Sequence, residues 1–182
     1  MIAVFCLATQ LLAAAPSPPI DTPPPEPAPV HAVRPRPRAI EVSEWYNRRL
    51  TLHRWLAYTT VPVFTGQYLA GRQIWAKGPE APAWARTGHR VGATTLAVIF
   101  TVNTVTGLWN LWDSRAVADH RGLRYMHALS MLTADAGFTW AGAVLSEQAE
   151  RDFNKRALHK KVALASIGIS VTSGVLMKVL NK

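Results

Sequence analysis

The sequence predicts an all-α integral membrane protein, an up-down-up-down bundle of four transmembrane helices. Four apolar segments follow one another in the 182-residue chain, separated by short polar connections. Their cores, about 17–22 residues long and nearly free of charge, are long enough for helices to cross the ~30 Å hydrocarbon layer. Tryptophans near the segment ends fit an interfacial aromatic belt, namely Trp45, Trp55, Trp75, Trp84, Trp109 and Trp112.

The chain before the first segment divides into two parts. Residues 1–15 are an apolar run ending in small residues, as in a secretory signal. Residues 16–44 form a tail predicted to be disordered, because ten of the thirteen prolines lie there, within residues 16–38. Its simplest interpretation is a spacer, with docking of a partner as the alternative. Cleavage of the signal would place the tail on the outer, periplasmic side of a bacterial inner membrane.

The membrane domain is assigned to residues 45–182. Backbone groups within lipid must be satisfied internally, so the four segments are predicted to be helices rather than strands. Short connections predict that consecutive helices are antiparallel neighbours. The predicted segments are 47–74, 86–112, 122–147 and 157–180.

One acid, Asp135, interrupts the third segment. A buried carboxylate is unfavourable unless it is neutral or paired. A hydrogen bond between helices, to Asn103 or Ser170, is the preferred interpretation. A role in handling protons is the alternative.

The charge distribution does not indicate nucleic-acid binding. The formal charge is +9, but the basic residues are spread over the tail and the segment ends, as is usual in membrane proteins. They divide almost evenly between the two predicted membrane sides and so do not define sidedness. The single cysteine, Cys6, excludes an intrachain disulfide, and the sequence has no Cys-x-x-Cys-His motif for covalent haem attachment.

Four of the six histidines lie near the N-terminal ends of the apolar segments, one in each: His53, His89, His127 and His159. Alternate helices run in the same direction, so the first and third histidines share one membrane face, and the second and fourth share the other. Helices one and three are diagonal in a four-helix bundle, as are two and four. The pattern therefore predicts two sites in which a pair of imidazoles ligates the iron of a flat macrocycle, here two non-covalent b-type haems.

Glycines and aromatic residues repeat along the same helix faces. Gly71 and Gly107 lie eighteen residues after His53 and His89, five full helical turns further on, and are expected to let a porphyrin approach at the opposite face. Gly142 and Gly174 lie fifteen residues after the other two histidines. Phenylalanines occur eleven residues after three of the histidines, which predicts aromatic rings at the bundle midplane, namely Phe64, Phe100 and Phe138.

Cationic residues follow three of the four histidines: Arg54, Arg90 and Lys160 with Lys161. They are candidates to pair with haem propionates or with an anionic reductant. Interaction with lipid headgroups explains their positions equally well. His120, seven residues before His127, is a weaker candidate ligand because charged residues flank it.

The four histidines at this spacing, over residues 45–180, resemble the transmembrane core of the cytochrome b561 family. The resemblance implies axial ligation of two b haems by His53, His127, His89 and His159. The chain departs from eukaryotic members in having four rather than six helices, and in lacking a recognisable ascorbate-contact motif.

The expected function is transmembrane electron transfer, with a quinol or small soluble reductant as donor and a redox protein or larger complex as a further partner. The leading alternative is a membrane-anchor subunit of a redox complex that holds one haem or none. A membrane scaffold with interfacial histidines is the third hypothesis.

Overall fold

A computed structural model describes residues 43–180; the signal-like segment, His31 and nearly all of the Pro-rich tail lie outside this range. Over the described range the protein is helical, with no strand. Five α-helices follow in order: α1 (Glu44–Lys77), α2 (Ala83–Asp113), α3 (Arg121–Thr139), α4 (Ser146–Arg151) and α5 (Phe153–Leu180). A 3-10 turn, Gly78–Glu80, follows α1, and a π-helical segment, Trp140–Leu145, joins α3 to α4.

Local capping interactions define the helix ends. The Ser43 hydroxyl accepts a hydrogen bond from the Tyr46 amide at the start of α1. Gly78 ends that helix with a positive φ of 55°, a conformation that glycine adopts without strain. At the start of α5, the Asp152 carboxylate accepts from the Lys155 amide at 2.9 Å.

The third predicted segment is longer than expected and is not a uniform α-helix. The helical path runs from Arg121 through the π-helical segment to Arg151, and Asp152 alone separates it from α5. Arg156 stabilises this extension, since its guanidinium donates to the carbonyls of Ala149 and Glu150 at the end of α4. The predicted loop around residues 148–156 is thereby reduced to one residue.

The long helices pack as two hairpins. α1 packs along α2, and α3 packs along α5; the hairpins meet mainly where α2 contacts α3. Paired residues show that these neighbours are antiparallel, for example Gln67 with His89 and His127 with Ser173. The diagonal partners are therefore α1 with α3 and α2 with α5.

An arginine joins the start of α1 to the end of α2. Arg49 donates to the Asn110 side chain at 3.2 Å and forms an ion pair with Asp113. Its guanidinium also lies over the Trp109 ring, 4.5 Å from the centroid. These contacts hold the start of α1 against the end of α2, one turn away from His53.

Within residues 43–180, three helical stretches are long and apolar enough to span a membrane: Ala83–Asp113, Arg121–Arg151 and Phe153–Leu180. Only 28%, 17% and 17% of their most apolar windows are buried within the protein, so most of their apolar surface faces outward, as lipid contact requires. α1 is the longest described helix at 34 residues, but it is less apolar and is not among the three.

Candidate functional site

The structure brings the four histidines together as two diagonal pairs. The imidazole centroids of His53 and His127 lie 6.3 Å apart, with the ring planes at 81°. Those of His89 and His159 lie 6.1 Å apart, with the planes at 61°. All four side chains are partly buried. The pairing is that predicted from alternate helices running in the same direction.

The position of each histidine along its helix explains why the pairs form. His89, His127 and His159 each follow the first residue of their helix by six positions. Six residues correspond to about 9 Å of helix, so each side chain lies inside the bundle end rather than in a loop. His53 lies nine residues into α1, which begins earlier than the others.

Three of the four histidines have an oxygen beside Nδ1. His53 Nδ1 lies 3.2 Å from the carbonyl oxygen of Asn103 and 3.3 Å from the hydroxyl of Thr106. His159 Nδ1 lies 3.0 Å from the carbonyl oxygen of Ala141. A carbonyl can only accept, so both Nδ1 atoms carry the proton, and the neutral rings present an unprotonated Nε2. His127 Nδ1 lies 2.8 Å from the Ser173 hydroxyl, which can accept in the same way.

His89 has a different environment. Its Nδ1 is buried and has no hydrogen-bond partner. The position of its backbone is fixed instead, because the Gln67 amide donates to the His89 carbonyl at 2.7 Å. Gln67 is itself buried, and its side chain lies so close to Gly92 that a Cβ there would collide with it.

Two of the four predicted glycines contact a histidine ring. A Cβ added at Gly71 would lie 3.5 Å from Cε1 of His89, and one at Gly107 would lie 3.0 Å from Cε1 of His53. Gly142 and Gly174 are exposed, and an added Cβ would meet no atom within 4 Å. The first two glycines therefore give space to imidazoles of the neighbouring helix, at the membrane face where a porphyrin was expected.

The cations predicted to contact a cofactor are exposed and lie outside the histidine pairs. Arg54, Arg90 and Lys161 are on the surface. Lys160 lies over the Trp75 ring, 4.3 Å from its centroid. These positions suit contacts at the membrane interface, where cationic and aromatic side chains meet lipid headgroups.

The three predicted phenylalanines form a cluster between the histidine pairs. The ring centroids are 6.0 Å apart for Phe64 and Phe100, 5.6 Å for Phe64 and Phe138, and 4.9 Å for Phe100 and Phe138. Phe64 and Phe100 are buried with Leu96 at the centre of the core. In α5 the corresponding residue is Ser170, whose hydroxyl donates to the Ile167 carbonyl.

Asp135 pairs with a residue other than the two expected. The Thr104 hydroxyl donates to its carboxylate, joining α2 to α3. Thr104 follows Asn103 directly in the chain, so the predicted interhelical hydrogen bond forms with a different donor. The second carboxylate oxygen is buried without a partner.

The hydrogen-bond partners of the imidazoles are functional candidates that the sequence did not reveal. Ser173 and Thr106 are ordinary small polar residues in apolar helices, and Ala141 contributes only its carbonyl. A weak signal exists in α5, where the buried serines form a helical stripe at positions 166, 170 and 173. Which of them faces a histidine depends on the register between helices, which the sequence does not specify.

The histidines meet in twos and not in larger groups. Among residues 43–180, no three histidine, cysteine, aspartate or glutamate side chains are placed to hold a metal ion together. Comparisons of the chain with protein-family models, curated proteins and solved structures found no match. The two histidine pairs are therefore the main basis for a functional proposal.

Proposed function

We propose that the protein transfers electrons across a membrane through two b-type haems, one held by His53 and His127 and the other by His89 and His159. The observation that carries the proposal is the Nδ1 environment of these rings. Nδ1 of His53 and of His159 donates to a carbonyl. A metal-ligating histidine typically donates its second ring N–H in this way, which fixes the tautomer and orients the ligating nitrogen.

The separation within each pair fits one iron between two imidazoles. Metal–imidazole bonds of about 2 Å on opposite sides of a metal place the ring centres about 6 Å apart. The pairs have 6.3 and 6.1 Å. Edge-to-face aromatic pairs have similar spacings, so the centroid distance alone does not distinguish a ligand pair from an aromatic pair. The Nδ1 hydrogen bonds make that distinction.

The proposal includes a fourth transmembrane span in α1. Its charge-free core runs from Trp55 to Gly71, about 25 Å of helix. The polar residues within that core are largely satisfied inside the protein. The hydroxyls of Thr59, Thr60 and Thr65 donate to carbonyls of their own helix, and Gln67 faces the bundle. Mean hydropathy therefore underestimates how well α1 suits lipid.

The chemistry expected of these sites is electron transfer alone. A bound haem would supply a reversible one-electron iron couple. With imidazoles at both axial positions, no position would remain open for oxygen or substrate. The four histidines would hold the group without covalent attachment, since the sequence lacks a Cys-x-x-Cys-His motif.

The histidine spacing and diagonal pairing also support a place near the cytochrome b561 family, as a four-helix member. The proposed location is a bacterial inner membrane, with the Pro-rich tail on the periplasmic side. Quinols or small soluble anionic reductants are the proposed donors, because basic residues such as Arg54 and Arg90 lie next to the histidines at each end. A redox protein or larger complex is the proposed further partner.

The test is a reduced-minus-oxidised visible spectrum of the purified protein, with quantitation of the haem as its pyridine complex. Wild type is expected to bind two haems b per chain. Each alanine variant of the four histidines is expected to lose one haem, since one axial ligand is removed. His53→Ala and His127→Ala are expected to lose the same haem, and His89→Ala and His159→Ala the other.

His120→Ala is the matched control. His120 is outside both pairs, at the residue before α3, and its loss is expected to leave two haems. One haem in wild type would favour the membrane-anchor alternative. Wild type without haem, after expression with adequate haem supply, would contradict the proposal.

A further inference from the structure

The two histidine pairs differ in what surrounds their Nδ1 atoms. At one end, both rings have an oxygen within hydrogen-bond distance: His53 has Asn103 and Thr106, and His127 has Ser173. At the other end only His159 has one, from Ala141. Nδ1 of His89 is buried with no partner. The two sites are therefore unequal in the hydrogen bonds that imidazole ligands make.

We infer that Ser173 is a positioning residue that lowers the reduction potential of the haem held by His53 and His127, relative to the same site without its hydroxyl. This inference rests on the proposed function. An imidazole that donates its Nδ1–H becomes a more basic ligand at Nε2. A more basic ligand stabilises ferric over ferrous iron, and hydrogen bonding around axial ligands is one way in which proteins set haem potentials.

Ser173 is suited to this role because it is the single hydrogen-bond partner described for the His127 ring. Its hydroxyl lies 2.8 Å from Nδ1, across the interface between α3 and α5. His53 has two acceptors, so loss of Thr106 would leave the Asn103 carbonyl in place. Removing the Ser173 hydroxyl would leave His127 Nδ1 without an acceptor, as His89 is now.

The experiment is a potentiometric titration of the full chain carrying both haems, in wild type and in Ser173→Ala. At a fixed ambient potential, the ratio of reduced to oxidised iron is expected to rise about tenfold at one haem only. The affected haem is the one missing from His127→Ala. The tenfold change matches the low end of the effects on metal affinity or activity when outer hydrogen-bond partners of metal ligands are removed, and corresponds to about 59 mV for a one-electron couple.

Matched controls come from the same helix. Ser166 and Ser170 are buried on the same face of α5 and have no hydrogen bond to a histidine. Alanine at either position is expected to leave both potentials unchanged. Ser173→Thr keeps an acceptor and is expected to stay close to wild type, also in the low-spin ferric EPR signal, which reports the orientation and basicity of the axial imidazoles.

Unchanged potentials in Ser173→Ala, equal shifts of both haems, or an equal shift in Ser170→Ala would overturn the inference. If Ser173→Ala fails to retain its haem, Ser173→Cys provides the test, because a thiol is a weaker acceptor and is expected to shift the same haem in the same direction by less. Wild type without haem would instead contradict the proposed function.

Discussion

His89 packs its ring against Gly71, where a side chain would find space. A Cβ at Gly71 would lie 3.5 Å from Cε1 and 3.7 Å from Nδ1 of His89, which is ordinary van der Waals contact. A hydroxyl on that carbon would come within reach of Nδ1, the buried nitrogen that has no partner. A single substitution can therefore supply the hydrogen bond that this ring lacks.

Gly71→Ser is expected to lower the potential of the haem assigned to His89 and His159, because His89 would gain an acceptor for its Nδ1–H. Gly71→Ala adds the same carbon without the hydroxyl and is the matched control. Potentiometric titration of both variants measures the difference. Equal shifts in the two variants would contradict a hydroxyl effect, and loss of the haem from both would show that Gly71 is needed for porphyrin approach.

Gly107 is expected to tolerate alanine less well. The added Cβ would lie 3.0 Å from Cε1 of His53, closer than nine in ten Cβ contacts in proteins. Gly107→Ala should displace the His53 ring and weaken binding of the haem that it shares with His127, by about 10–100-fold if the effect matches that of other outer-ligand changes. Haem retention during apomyoglobin competition measures this loss.

Gly142→Ala is the control for that experiment, since an added Cβ there would meet nothing within 4 Å. Equal haem loss in the two variants would contradict the contact with His53 and favour porphyrin approach at both glycines.

At the residue scale, the sequence predicted the four histidines because each falls near the start of a helix. It predicted their pairing because alternate helices of an up-and-down bundle run in the same direction. It did not predict Ser173 or Thr106 as partners. Those contacts depend on the register between antiparallel helices, and a change of one residue would turn each hydroxyl about 100° away.

At the scale of the helices, α1 and α2 approach each other closely at Gly92. Gln67 occupies the space above Gly92 and donates to the carbonyl of His89. Gly92→Ala is expected to destabilise the protein by about 1–3 kcal/mol, because it displaces a buried amide and breaks its hydrogen bond. Thermal unfolding in detergent, followed by circular dichroism, measures the change.

Gly88→Ala is the matched control, one turn earlier in the same helix, where an added Cβ meets no atom within 4 Å. It is expected to be neutral or slightly stabilising, since alanine favours helix over glycine. A destabilisation as large as that of Gly92→Ala would show that the effect comes from helix propensity or lipid packing rather than from Gln67.

The positions of the long helices could be predicted from sequence because long apolar runs with polar ends have few alternatives in lipid. Their ends were less predictable. The charged run before Asp152 looked like a loop, but Arg156 satisfies the carbonyls that end α4 and so allows the helix to continue. The π-helical segment also has no evident sequence signal, since Trp140–Leu145 is an unremarkable apolar stretch.

For the molecule as a whole, the four proposed spans predict that the start of α1 lies on the same side as the loop between α2 and α3, and opposite the turn after α1. The test uses Arg48→Cys, Glu80→Cys and Ala118→Cys, each in a Cys6→Ser background so that the natural thiol does not react. A membrane-impermeant maleimide is expected to label Arg48→Cys and Ala118→Cys from one side, and Glu80→Cys from the other.

Labelling of Arg48→Cys and Glu80→Cys from the same side would show that α1 lies on the membrane and does not cross it. Ala118→Cys is the internal control, because α2 is apolar enough to separate it from Glu80. Sequence alone could predict four apolar segments. For α1 it could not show that the polar side chains face inward or bond to their own helix, because composition does not specify side-chain direction.

The π-helical segment gives the helical path from Arg121 to Arg151 one residue more than an α-helix needs for the same turn. Such wide turns commonly arise at functional sites, and here one of its carbonyls, that of Ala141, meets His159. Deletion of a single exposed residue such as Val144 would let the segment close into regular α-helix while its two flanks keep their orientation, and each carbonyl there would then accept from the amide four residues later. The extra residue is therefore expected to be what leaves the Ala141 carbonyl available to His159.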